Sequence, residues 1–264
     1  MSNTRLEGRV AFVTGAGSGI GQGIAELFAE EGAKVALVEY DEAKGRETLA
    51  HIRKAGGEAE LFVADVSKEA AVQKAIEGTL AAYGALHHLV NNAGIVLVKP
   101  LEECTEAEWD EVMGVNVKSI FLTVKHGIAH LKQSEGATIV NMASVSSFVG
   151  QSNTPSYVAS KGAVMTLTKA LALDYARFGI RVNCVCPGIT DTPLFRYHVS
   201  KTSDPEATLE SRSARVPLAR LLTPRDIAKA VLYLSTDDSS GITGIAHVVD
   251  AGYLATAEWD NRQI

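Results

Sequence analysis

Val10-Ala-Phe-Val-Thr-Gly-Ala-Gly-Ser-Gly-Ile-Gly21 decides how this chain folds. A short apolar run, Val10–Val13, meets a turn with glycine at 15, 17, 19 and 21; Ile20, Ile24, Leu27 and Phe28 then recur at helical spacing until Gly32. A strand that turns sharply into a helix presents backbone N–H groups and the positive end of the helix dipole to an anion, the arrangement that holds a pyrophosphate. A side chain at Gly15, Gly19 or Gly21 would obstruct the tight turn, the approach of backbone to phosphate, or the packing of helix on strand. The run fits T-G-x-x-x-G-x-G and not G-x-G-x-x-G, because positions 20, 22 and 24 are Ile, Gln and Ile. A glycine-rich turn alone could equally be an ordinary strand-to-helix connection, so its surroundings carry the reading.

Outward from this turn, short β-branched runs alternate with longer helical patterns, the signature of βαβ units and a parallel sheet. Strands are expected at 35–38, 59–63, 86–90, 138–142, 180–185 and 245–249. Helices are expected at 42–55, 69–83, 106–133 with a break near Gly114, 156–178 and 225–234. From Ile189 to Ala219 the pattern fails: Pro193, Pro205 and Pro217 stand among Ser, Thr and mixed charges, which reads as a long excursion outside the regular core. The fold class is therefore α/β, a doubly wound, mostly parallel sheet in three layers. The 264 residues are expected to form one domain, with a substrate-covering loop at about 190–219.

Composition narrows the function. A net charge of -6 leaves no basic stripe for phosphates, so nucleic acid is not an expected partner. No apolar run reaches the ~20 residues that span a bilayer, and the N-terminus has no apolar signal segment, so a cytoplasmic location away from membranes is expected. The three cysteines, Cys104, Cys184 and Cys186, read as free thiols without a catalytic role. His87 and His88 have no third ligand at metal-like spacing, so no metal site is expected. Trp109 and Trp259 read as packing or interface residues.

Glu39 ends the second strand 24 residues after Gly15, where a carboxylate can accept hydrogen bonds from both hydroxyls of an adenosine ribose. A 2′-phosphate there would face like charge, and neither Ser18 nor Tyr40 offers a cation, so NAD is expected as cofactor in preference to NADP. Asp65 and Val66, after the third strand, and Asn92-Ala93-Gly94, after the fourth, stand at strand carboxyl ends, where ligands sit in open α/β sheets. With Gly15, Ser18, Gly19, Ile20 and Gly21 they make up the expected cofactor-binding set.

Tyr157 and Lys161 are four apart in a helical segment and so share one face. A free phenol with pKa near 10 is a poor base at neutral pH, but a nearby ammonium together with a positive nicotinamide favours the phenolate, which can take an alcohol proton. Ser144 lies 13 residues before the tyrosine, at the end of the fifth strand, where its hydroxyl can hold a substrate oxygen and stabilise developing negative charge. Y-x-x-x-K also occurs by chance as a surface pair; its company with Ser144 and the upstream turn in one consistent α/β pattern makes coincidence hard to sustain.

In Thr14–Gly21, Asn91-Asn-Ala-Gly94, Asn116, Ser144, Tyr157-Val-Ala-Ser-Lys161 and Pro187-Gly188, the chain resembles the short-chain dehydrogenase/reductase family in its single-domain Rossmann form, from about Gly8 to Gly252. Ala143 and Ala251 are mild departures that remove no catalytic group. The resemblance implies that Lys161 hydrogen-bonds the nicotinamide ribose and links through water held by Asn116 to solvent. It also implies that Pro187, Gly188, Ile189 and Thr192 contact the nicotinamide end of the cofactor. A homo-oligomer, a tetramer, is implied too, with Val115, Ile120, Val164 and Leu167 as candidate interface residues.

Substrate choice is expected in the excursion, together with Val96, Ser146, Gln151 and Asn153. The excursion carries Arg196, His198, Lys201, Arg212 and Arg215, which could select an anionic or polyhydroxylated substrate or could be solvated loop charges. The expected activity is NAD-dependent hydride transfer between a secondary alcohol or sugar-like hydroxyl and nicotinamide. A 3-oxoacyl thioester reductase and a non-catalytic NAD-binding redox sensor are the alternatives.

Overall fold

The computed structural model describes residues 4–256; Trp259 lies outside them. Seven parallel strands form one sheet in the order β3-β2-β1-β4-β5-β6-β7. They are β1 (Val10–Thr14), β2 (Lys34–Glu39), β3 (Glu58–Val63), β4 (His88–Asn91), β5 (Thr138–Met142), β6 (Arg181–Pro187) and β7 (Ala246–Val249). On the chain run α1 (Gly19–Glu30), α2 (Glu42–Lys54), α3 (Glu69–Tyr83), α4 (Glu106–Met113), α5 (Ser119–Leu131), α6 (Pro155–Tyr175), α7 (Pro193–Ser200), α8 (Pro205–Ala214) and α9 (Pro224–Ser235). Strand order reverses between β1, which pairs with β2 on one side, and β4 on the other, and this switch point opens a crevice at the strands' carboxyl ends.

Each face of the sheet carries its own core. Ile24, Leu27 and Phe28 of α1 pack with Ile227, Val231 and Leu234 of α9 over one face; Val72 and Ile76 of α3, Leu122 of α5 and Val164 of α6 cover the other. Helices on both faces explain why the central strands are apolar on both sides and read as unbroken runs instead of alternating ones. Two polar exceptions are paired: Asn91 Nδ2 donates to Asn141 Oδ1 at 2.8 Å, and Asn141 Nδ2 to Thr168 Oγ1 at 3.0 Å.

Three local readings differ from the sequence expectation. The fourth strand begins two residues late, because His87 turns its Nδ1 to accept from the backbone N–H of Val10 at 3.0 Å and the ladder starts with Ala11 opposite His88. The break near Gly114 is a π-helical stretch, Gly114–Lys118, joining α4 to α5 without a loop. The excursion holds two helices: Pro193 and Pro205 occupy first-turn positions, where their missing N–H is not needed, and Thr192 and Asp204 cap them by accepting from Phe195 N at 3.2 Å and Ala207 N at 3.0 Å. Two of the expected interface residues, Ile120 and Val164, are core residues with 2% and 0% of their surface exposed.

Candidate active site

A cleft of about 2040 Å³ runs along the carboxyl edge of the sheet, larger than the roughly 300–1,000 Å³ of a drug-sized ligand site. Gly15, Ser18, Gly19 and Ile20 line it at one end; the chain adopts positive φ at Gly15 (63°) and Gly19 (55°), where a Cβ would be strained. Gly21 stands behind the lining: a Cβ there would lie 2.0 Å from the Gly15 carbonyl oxygen, so it serves helix-on-turn packing. Thr14 and Asn92 clasp the two turns at the switch point. Thr14 Oγ1 accepts from the N–H groups of Asn92 and Ala93 at 2.9 and 3.0 Å, and Asn92 Nδ2 donates to the carbonyls of Thr14 and Gly15 at 3.0 and 3.2 Å. The Asn92 side chain is thus spent on the turn, leaving the backbone of Ala93 and Gly94 to face the cleft.

Glu39 reaches the same turn. Its carboxylate accepts from Gly17 N at 2.9 Å and from Tyr40 N and Asp41 N at 2.9 and 3.0 Å. A Cβ at position 17 would come within 2.8 Å of Glu39 Cγ, so this glycine, which the sequence reading left without a role, gives the acid its place. Asp65 and Val66 line the cleft beyond it, with Asp65 Oδ1 accepting from Ser67 N and Oγ. Lys44 and Lys68, not singled out from sequence, line this end too; Lys44 Nζ is paired with Asp41 at 3.4 Å.

At the other end Ser144, Tyr157 and Lys161 converge. Ser144 follows β5 in extended backbone, and its Oγ accepts from Ser146 N at 3.1 Å; its hydroxyl also hydrogen-bonds the Tyr157 phenol. Lys161, one helical turn after Tyr157, is buried, donates through Nζ to the Met142 carbonyl at 2.7 Å, and lies 5.6 Å from the Tyr157 ring centre. Burial pushes the Lys161 ammonium down to about 8. Burial also pushes the Tyr157 phenol above its ordinary value, with the Ser144 hydrogen bond opposing it. In the chain without cofactor, desolvation of the phenol outweighs the Ser144 hydrogen bond, and the positive nicotinamide that the sequence reading counted beside Lys161 is not part of that balance.

Asn116, in the π-helical stretch, does not line the cleft. Its Nδ2 donates to the Ile95 carbonyl at 3.0 Å and to Ser160 Oγ at 2.9 Å, and its Oδ1 accepts from Ile95 N at 2.8 Å. Both amide hydrogens are engaged by protein, so the side chain ties the turn after β4 to α6 beside Lys161.

Pro187, Gly188, Ile189 and Thr192 line the cleft after β6, and Gly19 faces Thr192 closely, a Cβ at 19 lying 3.3 Å from its side chain. Val96, Ser146 and Gln151 line the substrate end, where Ser146 Oγ donates to Gln151 Oε1 at 3.2 Å and Gln151 Nε2 meets His198 Nδ1 at 2.9 Å. Two expected substrate residues are corrected. Arg196 is turned away in a bidentate pair with Asp191, at 2.7 and 2.8 Å, and Asn153 is exposed outside the lining, its carbonyl accepting from Lys99 N. Leu194, Phe195 and Tyr253 join the wall unannounced by any sequence signal; they become neighbours only because α7 and the turn after β7 fold over the same edge.

A family model described as Enoyl-(Acyl carrier protein) reductase matches residues 15–254. The chain is 40% identical over 256 residues to 2-(S)-hydroxypropyl-CoM dehydrogenase 3 of Xanthobacter autotrophicus, covering 97% of this chain and 100% of that protein. It is 38% identical over 251 residues to cyclopentanol dehydrogenase of Comamonas sp., covering 95% and 99%. Among solved structures, levodione reductase superposes with a TM-score of 0.92 at 32% identity, covering 96% of this chain and all of that one.

Proposed function

The chain belongs to the short-chain dehydrogenase/reductase family, an oxidoreductase family acting on CH–OH groups, and from that premise we propose that it is an NAD-dependent dehydrogenase of secondary alcohols with Tyr157 as the proton-transfer group. The convergence of Tyr157, Ser144 and Lys161 on one end of a cleft whose other end is a glycine cradle is the observation that carries this reading. The cradle suits a dinucleotide: a Cβ would be strained by positive φ at positions 15 and 19 and would clash at 21, and an acid stands where the second strand ends. Gly15, Ser18, Gly19, Ile20, Glu39, Asp65, Val66, Ala93, Gly94, Lys161 and the Pro187–Thr192 segment would hold it.

When bound, the cofactor supplies the hydride acceptor in alcohol oxidation and the donor in carbonyl reduction. The protein manages the oxygen and the proton. As the carbinol C–H bond breaks and C=O forms, Tyr157 Oη takes the hydroxyl proton and passes it to solvent; in the reverse direction it protonates the forming alkoxide. Ser144 donates to the same oxygen, where negative charge develops. Lys161, held at the Met142 carbonyl beside the phenol, contributes positive charge and a ribose contact.

Incubating the protein with NAD+ or NADP+ and a panel of secondary alcohols, and following absorbance of the reduced cofactor, tests the proposal. Turnover with NAD+ is expected. No turnover with any alcohol would favour an NAD-binding sensor, and equal kcat/KM with NADP+ would remove Glu39 as the selecting group.

A further inference from the structure

The face of α8 turned to the cleft is polar and basic. Asp204, Ala207, Thr208, Ser211, Arg212 and Arg215 line the cleft at helical spacing, so one whole side of α8, from its cap to the residue after its last turn, forms wall. The neighbouring wall from α7 is different: Pro193, Leu194 and Phe195 present apolar surface, followed by His198. An apolar stretch beside a basic one suits a molecule with a hydrocarbon body and a charged end.

The two arginines differ in their pairing from Arg196, Arg220 and Arg225. Arg196 pairs with Asp191, Arg220 with Asp226 and Arg225 with Glu30, all at 2.6–2.8 Å. Neither Arg212 nor Arg215 forms an ion pair with any carboxylate of the described residues, although Arg212 is half-buried. The acid nearest in sequence on the same face, Asp204, is spent on the Ala207 N–H and, at 1.5 Å per residue, sits roughly 12 Å along the axis from Arg212. Asp110 and Glu111 of α4 also line the cleft without reaching either arginine. Arg215 rests over the Tyr253 ring, its guanidinium carbon 5.5 Å from the centroid, which narrows its freedom. Arg212, half-buried and without a counter-charge, and the exposed Arg215, held over Tyr253, can both receive an oxyanion that arrives with a ligand.

We propose that the substrate is a secondary alcohol, or its ketone, bearing a terminal oxyanion that Arg212 and Arg215 receive while its carbinol lies at Ser144 and Tyr157. This rests on the dehydrogenase reading above and adds the substrate class. The two arginines are specificity residues; they take no part in proton or hydride transfer.

The test compares kcat/KM for 3-hydroxybutanoate, 4-hydroxypentanoate and 5-hydroxyhexanoate with their methyl esters, and for 4-hydroxypentane-1-sulfonate with pentan-2-ol, in wild type, Arg212→Gln/Arg215→Gln and Arg212→Lys/Arg215→Lys. Charge-assisted pairs of this kind amount to about ten- to a hundredfold, so at least one anion should exceed its neutral partner by about tenfold or more, chiefly through KM. The Gln pair should bring that ratio near one and the Lys pair should keep part of it; thermal midpoints verify that the variants fold. A carboxylate preference without a sulfonate one, or the reverse, identifies which oxyanion the pair takes. Equal rates for acids and neutral partners in wild type, or a preference that survives the Gln pair, would overturn the assignment while leaving the dehydrogenase reading intact. Absence of turnover with every alcohol, charged or neutral, would remove both.

Discussion

The proposed choice of NAD over NADP rests on Glu39. Its carboxylate is fixed by three backbone N–H groups, including that of Gly17 in the glycine-rich turn, so its position is fixed where the second strand ends. Replacing it with alanine and adding a cation by Tyr40→Arg should narrow the preference of kcat/KM for NAD over NADP by about tenfold or more, and an unchanged ratio would show that another group selects. Gly21 carries a steric requirement instead. Gly21→Ala would drive a methyl to 2.0 Å from the Gly15 carbonyl, and backbone there has to move; we expect a loss of about 1–3 kcal/mol in chemical denaturation and weakened cofactor binding. At Tyr157 and Lys161, burial opposes both charges in the free chain, so the working protonation state depends on what the cofactor brings.

Among the elements, β4 contains a buried group with a pH signature. His88 Nδ1 pairs with Thr138 Oγ1 at 2.8 Å, its Nε2 has no partner among the described residues, and burial pushes the imidazole down to about 3. An unfolded chain binds this proton below pH 6.5 while the folded chain refuses it until about 3, so stability is lost as pH falls through that window. Between pH 7 and 5 the loss from this residue is about 2 kcal/mol. Urea midpoints at both pH values should differ less in His88→Asn than in wild type, and an identical difference would place the acid sensitivity elsewhere. The elements were legible in the sequence wherever periodicity was strong: the strands from 10 to 63 and α2, α3 and α9 lie within a residue or two of expectation. The excursion was not legible, because Pro193 and Pro205 signal a break equally well whether they end a segment or start a helix, and only the caps Thr192 and Asp204 distinguish the two. The same blindness hid the cleft wall: Ser144, Tyr157 and Lys161 announce themselves by spacing, whereas Arg212 acquires meaning and Arg196 loses it through which way each helix turns.

At the scale of the whole molecule, one sheet with its reversal of strand order creates the cleft, and the proposed function divides its two ends between holding a dinucleotide and handling an alcohol oxygen. No helix of the described residues is long and apolar enough to cross a membrane. The outer surfaces of α5 and α6 expose Phe121 at 54% and Leu173 at 82%, large apolar side chains that a monomer leaves wet. We expect sedimentation to show a tetramer, with Leu173→Lys shifting it toward smaller species; a monomeric wild type at micromolar concentration would contradict this. The assignment of the proton to Tyr157 is tested most directly by Tyr157→Phe, which deletes one oxygen from the cleft and leaves the glycine cradle untouched. On the best alcohol found, kcat should fall by at least ~10²- to 10⁴-fold while the NADH dissociation constant, read by fluorescence, stays nearly the same. A Phe variant that kept more than about a tenth of wild-type kcat would contradict it, because a group that transfers the proton contributes far more than tenfold.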